Sequence, residues 1–190
     1  MVIRSAQTGS APARGTFVVW ITGLSGAGKT TLCEALYGRL KPSLPQLVKL
    51  DGDVVRKALS SDLGYGEADR RVQIGRIQGM TKILADQGIS VLVGALYAHP
   101  ALLQWNRDNL PGYVEVYLKA SLDLLRDRDS KGLYAQADAD NTGNIVGLDI
   151  QWHEPLQPDV VIDVDSGSSP QSMAKEIWNA IPSLNVNADE

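Results

Sequence analysis

The chain has 190 residues, 44% of them hydrophobic and 21% charged, the make-up of one water-soluble domain with a sizeable core. Its net charge of -4 leaves no cationic surplus for tracking a nucleic-acid backbone, although a small anionic ligand needs only a few local cations. Cys33 is the one cysteine, which excludes an internal disulfide and suits a reducing cytoplasm, and no apolar run is long enough to cross a bilayer.

Residues 1–15 carry Arg4 and Arg14, small side chains and no acid. Without an apolar stretch this is no secretory signal, and it reads as a disordered arm before a domain spanning 16–183. Phe17–Thr22 (FVVWIT) is a short β-branched run, expected as a buried strand. After a cluster of glycines, Lys29–Leu40 places Leu32, Ala35, Leu36 and Leu40 at helical spacing. Leu47–Leu50 is a second strand, ending at Asp51-Gly52-Asp53, and Gly75–Gln87 is a helix closed by Gly88. Ser90–Ala95 and Tyr113–Leu118 are the third and fourth strands, and Ser121 caps a helix ending at Arg128. Residues 129–158 are polar, glycine-containing and weakly periodic, as expected of a lid. Val160–Val164 is the fifth strand, Ser169-Pro170 opens the last helix, and 184–190 is a frayed tail. Such alternation predicts a single α/β domain: about five mainly parallel strands with helices on both faces. In that fold the glycine loop, Asp51–Asp53 and the segment after Ala95 meet at one crevice.

Gly23-Leu24-Ser25-Gly26-Ala27-Gly28-Lys29-Thr30 matches G-x-x-x-x-G-K-[ST] between a strand and a helix. Glycines let successive N–H groups turn toward phosphate oxygens, and the following helix end adds a favourable dipole. Lys29 then bridges the β- and γ-phosphates of ATP and Thr30 ligates Mg²⁺. Asp51 and Asp53 supply two carboxylates beside that loop, one to hold the metal through water and one to take a hydroxyl proton; an Asp-Gly turn with surface acids is the plainer alternative. Arg56 and Arg70 suit an anionic acceptor, whereas Arg71 and Arg76 read as a solvated helix face. Tyr65, between glycines, either stacks on a base or packs on the core edge. His99 and His153 lack metal-ligand spacing, and Cys33 reads as a buried helix residue. The chain contains no Asn-Lys-x-Asp element of a regulatory GTPase, and a non-catalytic sensor would need no base. The expected activity is phosphoryl transfer from ATP·Mg²⁺ to a hydroxyl of a small nucleotide-like acceptor.

From about Thr16 to Val164 the chain resembles the adenylylsulfate kinase family. The resemblance is carried by the loop 23–31 (GLSGAGKTT), by Leu50–Arg56 (LDGDVVR), and by Asp62–Tyr65 with Glu67–Arg70. Arg128–Tyr134 (RDSKGLY), Gly147–Asp149 and Pro155–Pro158 complete it. It implies transfer from MgATP to the 3′-hydroxyl of adenylylsulfate. By resemblance Gly23, Ser25, Gly26, Ala27, Gly28, Lys29, Thr30, Thr31, Arg128 and Lys131 belong to the ATP side. Asp51 and Asp53 take the metal and base roles. Arg56, Tyr65, Arg70, Gln73, Leu96, Tyr97, Lys131, Leu133 and Ile145 face the acceptor. The oligomeric state is left open, a homodimer included.

The departures from the family gather on the acceptor side. Leu96-Tyr97-Ala98-His99-Pro100 stands where the family usually has Ile-Ser-Pro-Tyr-Arg. Gln73 replaces an asparagine, Gly75 an arginine, and Ile145 a phenylalanine of an aromatic sandwich. A lost stacking face is worth roughly 1–3 kcal/mol. The pattern predicts that adenylylsulfate is a poorer acceptor than another nucleotide-like compound, with cytidine diphosphate derivatives such as cytidine diphosphoramidate as the alternative. Trp152 and His99 are the residues that would instead restore the missing groups.

Overall fold

The computed structural model describes residues 15–129, 132 and 144–181. The expected arm and tail therefore lie outside the described residues apart from Gly15, as do residues 130, 131 and 133–143 of the expected lid. Strands β1 (Val18–Thr22), β2 (Val48–Asp51), β3 (Val91–Gly94), β4 (Tyr113–Lys119) and β5 (Val160–Asp163) form one sheet in the order β2-β3-β1-β4-β5, every pairing parallel. The central strand is the VVWIT run. Hydrogen-bonded on both edges and covered on both faces, it reads as unbroken apolar sequence, and Val18, Val19, Trp20 and Ile21 are 0% exposed.

The helices are α1 (Lys29–Leu40), α2 (Gly52–Leu59), α3 (Glu67–Asp86), α4 (Pro100–Asn109), α5 (Leu122–Arg128) and α6 (Pro170–Ala180). Helices α1 and α6 pack together on one side of the sheet, α3 and α4 on the other. Leu32, Leu36 and Leu40 of α1, Ile77 of α3 and Ile177 of α6 are among the core residues. Among the described residues no helix is long and apolar enough to cross a membrane.

All five strands and the helices α1, α5 and α6 fall where the sequence places them. Ser121 Oγ accepts from Leu124 N–H at 3.3 Å, and Ser169 Oγ accepts from Ser172 N–H at 3.2 Å, so both expected caps form. Gly88 follows α3 with φ +81°, a left-handed turn that its missing Cβ allows. Two helices went unread, α2 and α4, and α3 begins at Glu67 rather than Gly75. Gly75 and Gly79 lie on the exposed face of α3 with open space where a Cβ would stand, so nothing breaks the helix there.

Candidate active site

The phosphate loop leaves the C-terminal end of β1 and turns into α1. Gly26 and Gly28 adopt φ +81° and +97°, and a Cβ at Gly23 would sit 2.7 Å from the Leu118 carbonyl oxygen. Each position therefore demands glycine, two for handedness and one for the close approach of β4. No side chain caps α1, so its first-turn N–H groups face the loop's concave side. Lys29 Nζ folds back and donates to the carbonyls of Gly23 at 2.8 Å and Leu24 at 2.7 Å. Its ammonium is thereby held above the cradle.

Thr30 Oγ1 donates to Asp51 Oδ2 at 2.6 Å. Asp51 ends β2 and caps α2, its Oδ1 accepting from Asp53 N–H at 2.9 Å and Val54 N–H at 3.2 Å. One carboxylate thus ties the loop helix to the β2–α2 junction, and Asp53 follows it in the first turn of α2. The Asp-Gly pair is therefore a helix start and not a surface turn. A paired hydroxyl and carboxylate of this kind offers hard oxygens to a cation. Cys33, beneath the loop, is 1% exposed, and burial pushes its thiol up to about 12.

Arg56, Tyr65 and Arg70 form the facing wall. The Arg56 guanidinium lies 4.4 Å from the Tyr65 ring centroid and donates to the Gly64 carbonyl. The Arg70 guanidinium lies 6.0 Å from the same ring centroid, and Tyr65 is 61% exposed, so the ring is shared with arginine while the residue stays open to solvent. Arg70 donates through Nε to the Tyr65 carbonyl at 2.9 Å and through Nη2 to the Asn144 carbonyl at 2.7 Å. Burial, with Arg56 beside it, pulls its pKa below the ordinary arginine value. Gln73, 5% exposed, donates through Nε2 to the Gly52 carbonyl at 3.3 Å, while its buried Oε1 has no hydrogen-bond partner among the described residues.

These groups line one cavity of about 520 Å³. Ser25, Gly26, Gly28, Lys29, Thr30, Thr31, Asp51 and Asp53 bound one part of it, and Arg56, Tyr65, Arg70, Gln73, Leu96, Tyr97 and Ile145 the other. Gly23 and Ala27 shape the loop without lining the cavity. Arg128 ends α5 as an exposed residue away from it. Lys131 and Leu133 lie outside the described residues. Trp152 packs near Tyr117, with ring centroids 6.1 Å apart, and His99 caps α4 by accepting from Ala101 N–H at 3.2 Å. Neither is among the residues that line the cavity. Arg71 pairs with Glu67 at 2.9 Å, and Arg76 pairs with Asp62 at 2.6 Å, holding that carboxyl down to about 2. Ile74, Ile77, Asn144 and Val146 also line the cavity, unforeseen from sequence. The two isoleucines carry a readable signal, an apolar helical spacing ahead of a strand-end site. Asn144 has none, because only its backbone carbonyl reaches Arg70.

The family model for adenylylsulphate kinase matches residues 15–163. The adenylyl-sulfate kinase of Vibrio parahaemolyticus is 44% identical over 152 residues, covering 79% of this chain and 73% of its own. That of Microcystis aeruginosa is 37% identical over 166 residues, covering 87% and 91%. Among solved structures, the Mycobacterium tuberculosis APS kinase in complex with AMPPNP and APS superposes with a TM-score of 0.79 at 34% identity, covering 90% of this chain and 99% of that one. With the phosphate loop, the paired aspartates and the arginine wall around one cavity, these matches show that the chain belongs to the adenylylsulphate kinase family, nucleotide-dependent phosphotransferases with a hydroxyl acceptor.

Proposed function

We propose that the chain transfers the γ-phosphoryl group of ATP to the 3′-hydroxyl of adenylylsulfate. The observation that carries this reading is a single cavity joining Lys29, Thr30, Asp51 and Asp53 to Arg56, Tyr65, Arg70 and Gln73. Donor phosphates at the loop and an anionic nucleotide at the arginine wall would then be in contact, which is most of what phosphoryl transfer asks of a protein. Lys29, released from its two carbonyls, binds the β- and γ-phosphates. Asp53 accepts the acceptor's hydroxyl proton, since Asp51 is already committed to Thr30 and to the cap of α2. Arg56 and Arg70 bind the acceptor's phosphate-bearing end, and the exposed Tyr65 ring stacks on the adenine. Gln73 Oε1 accepts one hydrogen bond from the acceptor, which would satisfy an otherwise orphaned buried oxygen.

Magnesium fits the same residues. Thr30 Oγ1 and Asp51 Oδ2 are neighbouring hard oxygens at the loop, and Mg²⁺ typically needs only one or two protein oxygens beside phosphate and water. When bound it neutralises charge on the transferred group.

The acceptor-side replacements favour another nucleotide when read alone. The relatives at 37% and 44% identity are named adenylyl-sulfate kinases, and they weigh toward adenylylsulfate. A coupled ADP-release screen tests this. Adenylylsulfate should reach a kcat/KM near ~10⁶ M⁻¹s⁻¹ and lead cytidine diphosphate derivatives. A cytidine diphosphate derivative turning over faster would overturn the acceptor assignment. Near-wild-type turnover by Lys29→Ala would overturn the kinase chemistry itself.

A further inference from the structure

The wall of the cavity formed by Leu96 and Tyr97 leaves the C-terminal end of β3 and runs into α4. Its backbone is held at both ends. Ala95 N–H donates to the Ile21 carbonyl at 3.0 Å, Thr22 Oγ1 donates to the Leu96 carbonyl at 3.2 Å, and the His99 ring caps α4. Tyr97 sits between these anchors. It is 3% exposed, is one of the residues lining the cavity, and donates its hydroxyl to Glu67 Oε1 at 2.8 Å. Glu67 is the first residue of α3 and is itself held by Arg71, one helical turn on, at 2.9 Å. A carboxylate at a helix N-terminus is favourably placed, and the pair with Arg71 directs its oxygen toward the phenol.

We infer that Glu67 is a positioning residue for the acceptor pocket: by accepting the Tyr97 hydroxyl it fixes the ring that forms the pocket wall. The inference rests on the acceptor reading above. Glu67 lies in the Glu67–Arg70 block that carries the family resemblance, whereas Tyr97 stands where the family's wall usually presents serine. A small serine hydroxyl needs no outer anchor, whereas a tyrosine ring does, because its far end otherwise moves about the χ1 and χ2 torsions. Burial and the bond to Glu67 push the Tyr97 phenol up to about 12, so it remains a donor throughout the neutral range. The Tyr97 bond and, after it, Arg71 hold the Glu67 carboxyl below its usual range, so it remains an acceptor there as well.

Three variants test the inference: Glu67→Ala, Glu67→Gln and Tyr97→Phe, with the Glu67→Ala/Tyr97→Phe double variant. Losing one hydrogen bond to a charged group should raise KM for adenylylsulfate about tenfold or more. The KM for ATP and kcat should stay within about twofold. Glu67→Gln keeps an oxygen for the phenol and should recover most of the loss. The double variant should be no worse than either single change, because both remove the same contact. Amide hydrogen exchange at 95–99 in the free protein should speed about tenfold in Glu67→Ala and not in Glu67→Gln. Unmoved exchange, or additive effects in the double variant, would overturn the inference. Absence of turnover with adenylylsulfate in the wild-type protein would instead overturn the acceptor reading, and the exchange measurement would still decide the role of Glu67.

Discussion

At the scale of single residues, the division of labour between Asp51 and Asp53 can be tested directly. Asp51 accepts from two backbone N–H groups and from Thr30, three bonds that asparagine's amide oxygen can partly keep, since asparagine is as good a helix cap. Asp51→Asn should therefore fold with little change in Tm, while its residual rate becomes steeply dependent on Mg²⁺ concentration. Asp53→Asn should lower kcat by roughly 10²–10⁴-fold with ATP affinity nearly unchanged. Steady-state kinetics across a magnesium series separate the two, and full activity in Asp53→Asn would remove it as base. Both aspartates were legible because a strand end followed by Asp-Gly-Asp beside a phosphate loop is a local pattern. The orphaned Gln73 oxygen was not, since its burial comes from α2 and α3 meeting, a tertiary event with no mark in the sequence.

At the scale of elements, the readable parts were those with one strong local signal. The strands are unbroken apolar runs because the parallel sheet buries both faces, and α5 and α6 announce themselves through Ser121, Ser169 and Pro170. Helix α2 hid because a glycine stands at its first position, although Asp51 in front of it is a sound N-cap. Helix α4 hid for a subtler reason: its cap is a histidine ring, and the remaining cue was Pro100 at the first turn. The phosphate loop itself is jammed between β1 and β4. Gly23→Ala would bring a Cβ to within 2.7 Å of the Leu118 carbonyl, so one of the two strands must shift. A loss of about 2–3 kcal/mol in denaturant unfolding should result, together with weakened ATP binding, as expected for overpacking at a special backbone site. Wild-type stability in this variant would show that the loop is softer than the strand it abuts.

At the scale of the whole molecule, the sheet has two ends with different chemistry. The C-terminal ends of the strands carry the cavity, as the alternation of elements foretold. The opposite end holds a buried polar network that sequence patterning gave no hint of. Glu115 in β4, 1% exposed, pairs with Arg107 of α4 at 3.1 Å and accepts from the Tyr113 hydroxyl at 3.0 Å. Asp159, just before β5, accepts from Glu115 N–H at 2.7 Å and also faces Arg107 at 3.6 Å. Arg107 further donates to the Gln157 carbonyl, so one side chain joins α4, β4 and the approach to β5. Burial pushes the Glu115 carboxyl above its usual range and Arg107 opposes that push. Arg107→Met should therefore strand a buried carboxylate and cost about 3 kcal/mol near pH 8. Without Arg107 the folded-state pKa of Glu115 rises further above the unfolded value near ~4.3. The loss is full above that raised pKa, where the folded protein must hold the charge, and shrinks as pH falls toward the unfolded value and Glu115 takes up a proton. Urea unfolding at pH 8 and pH 5 measures the difference, and adding Glu115→Gln to the variant should recover most of the loss at pH 8. A deficit that is the same at both pH values would mean that Arg107 stabilises through its carbonyl contact and packing, and not through the Glu115 charge.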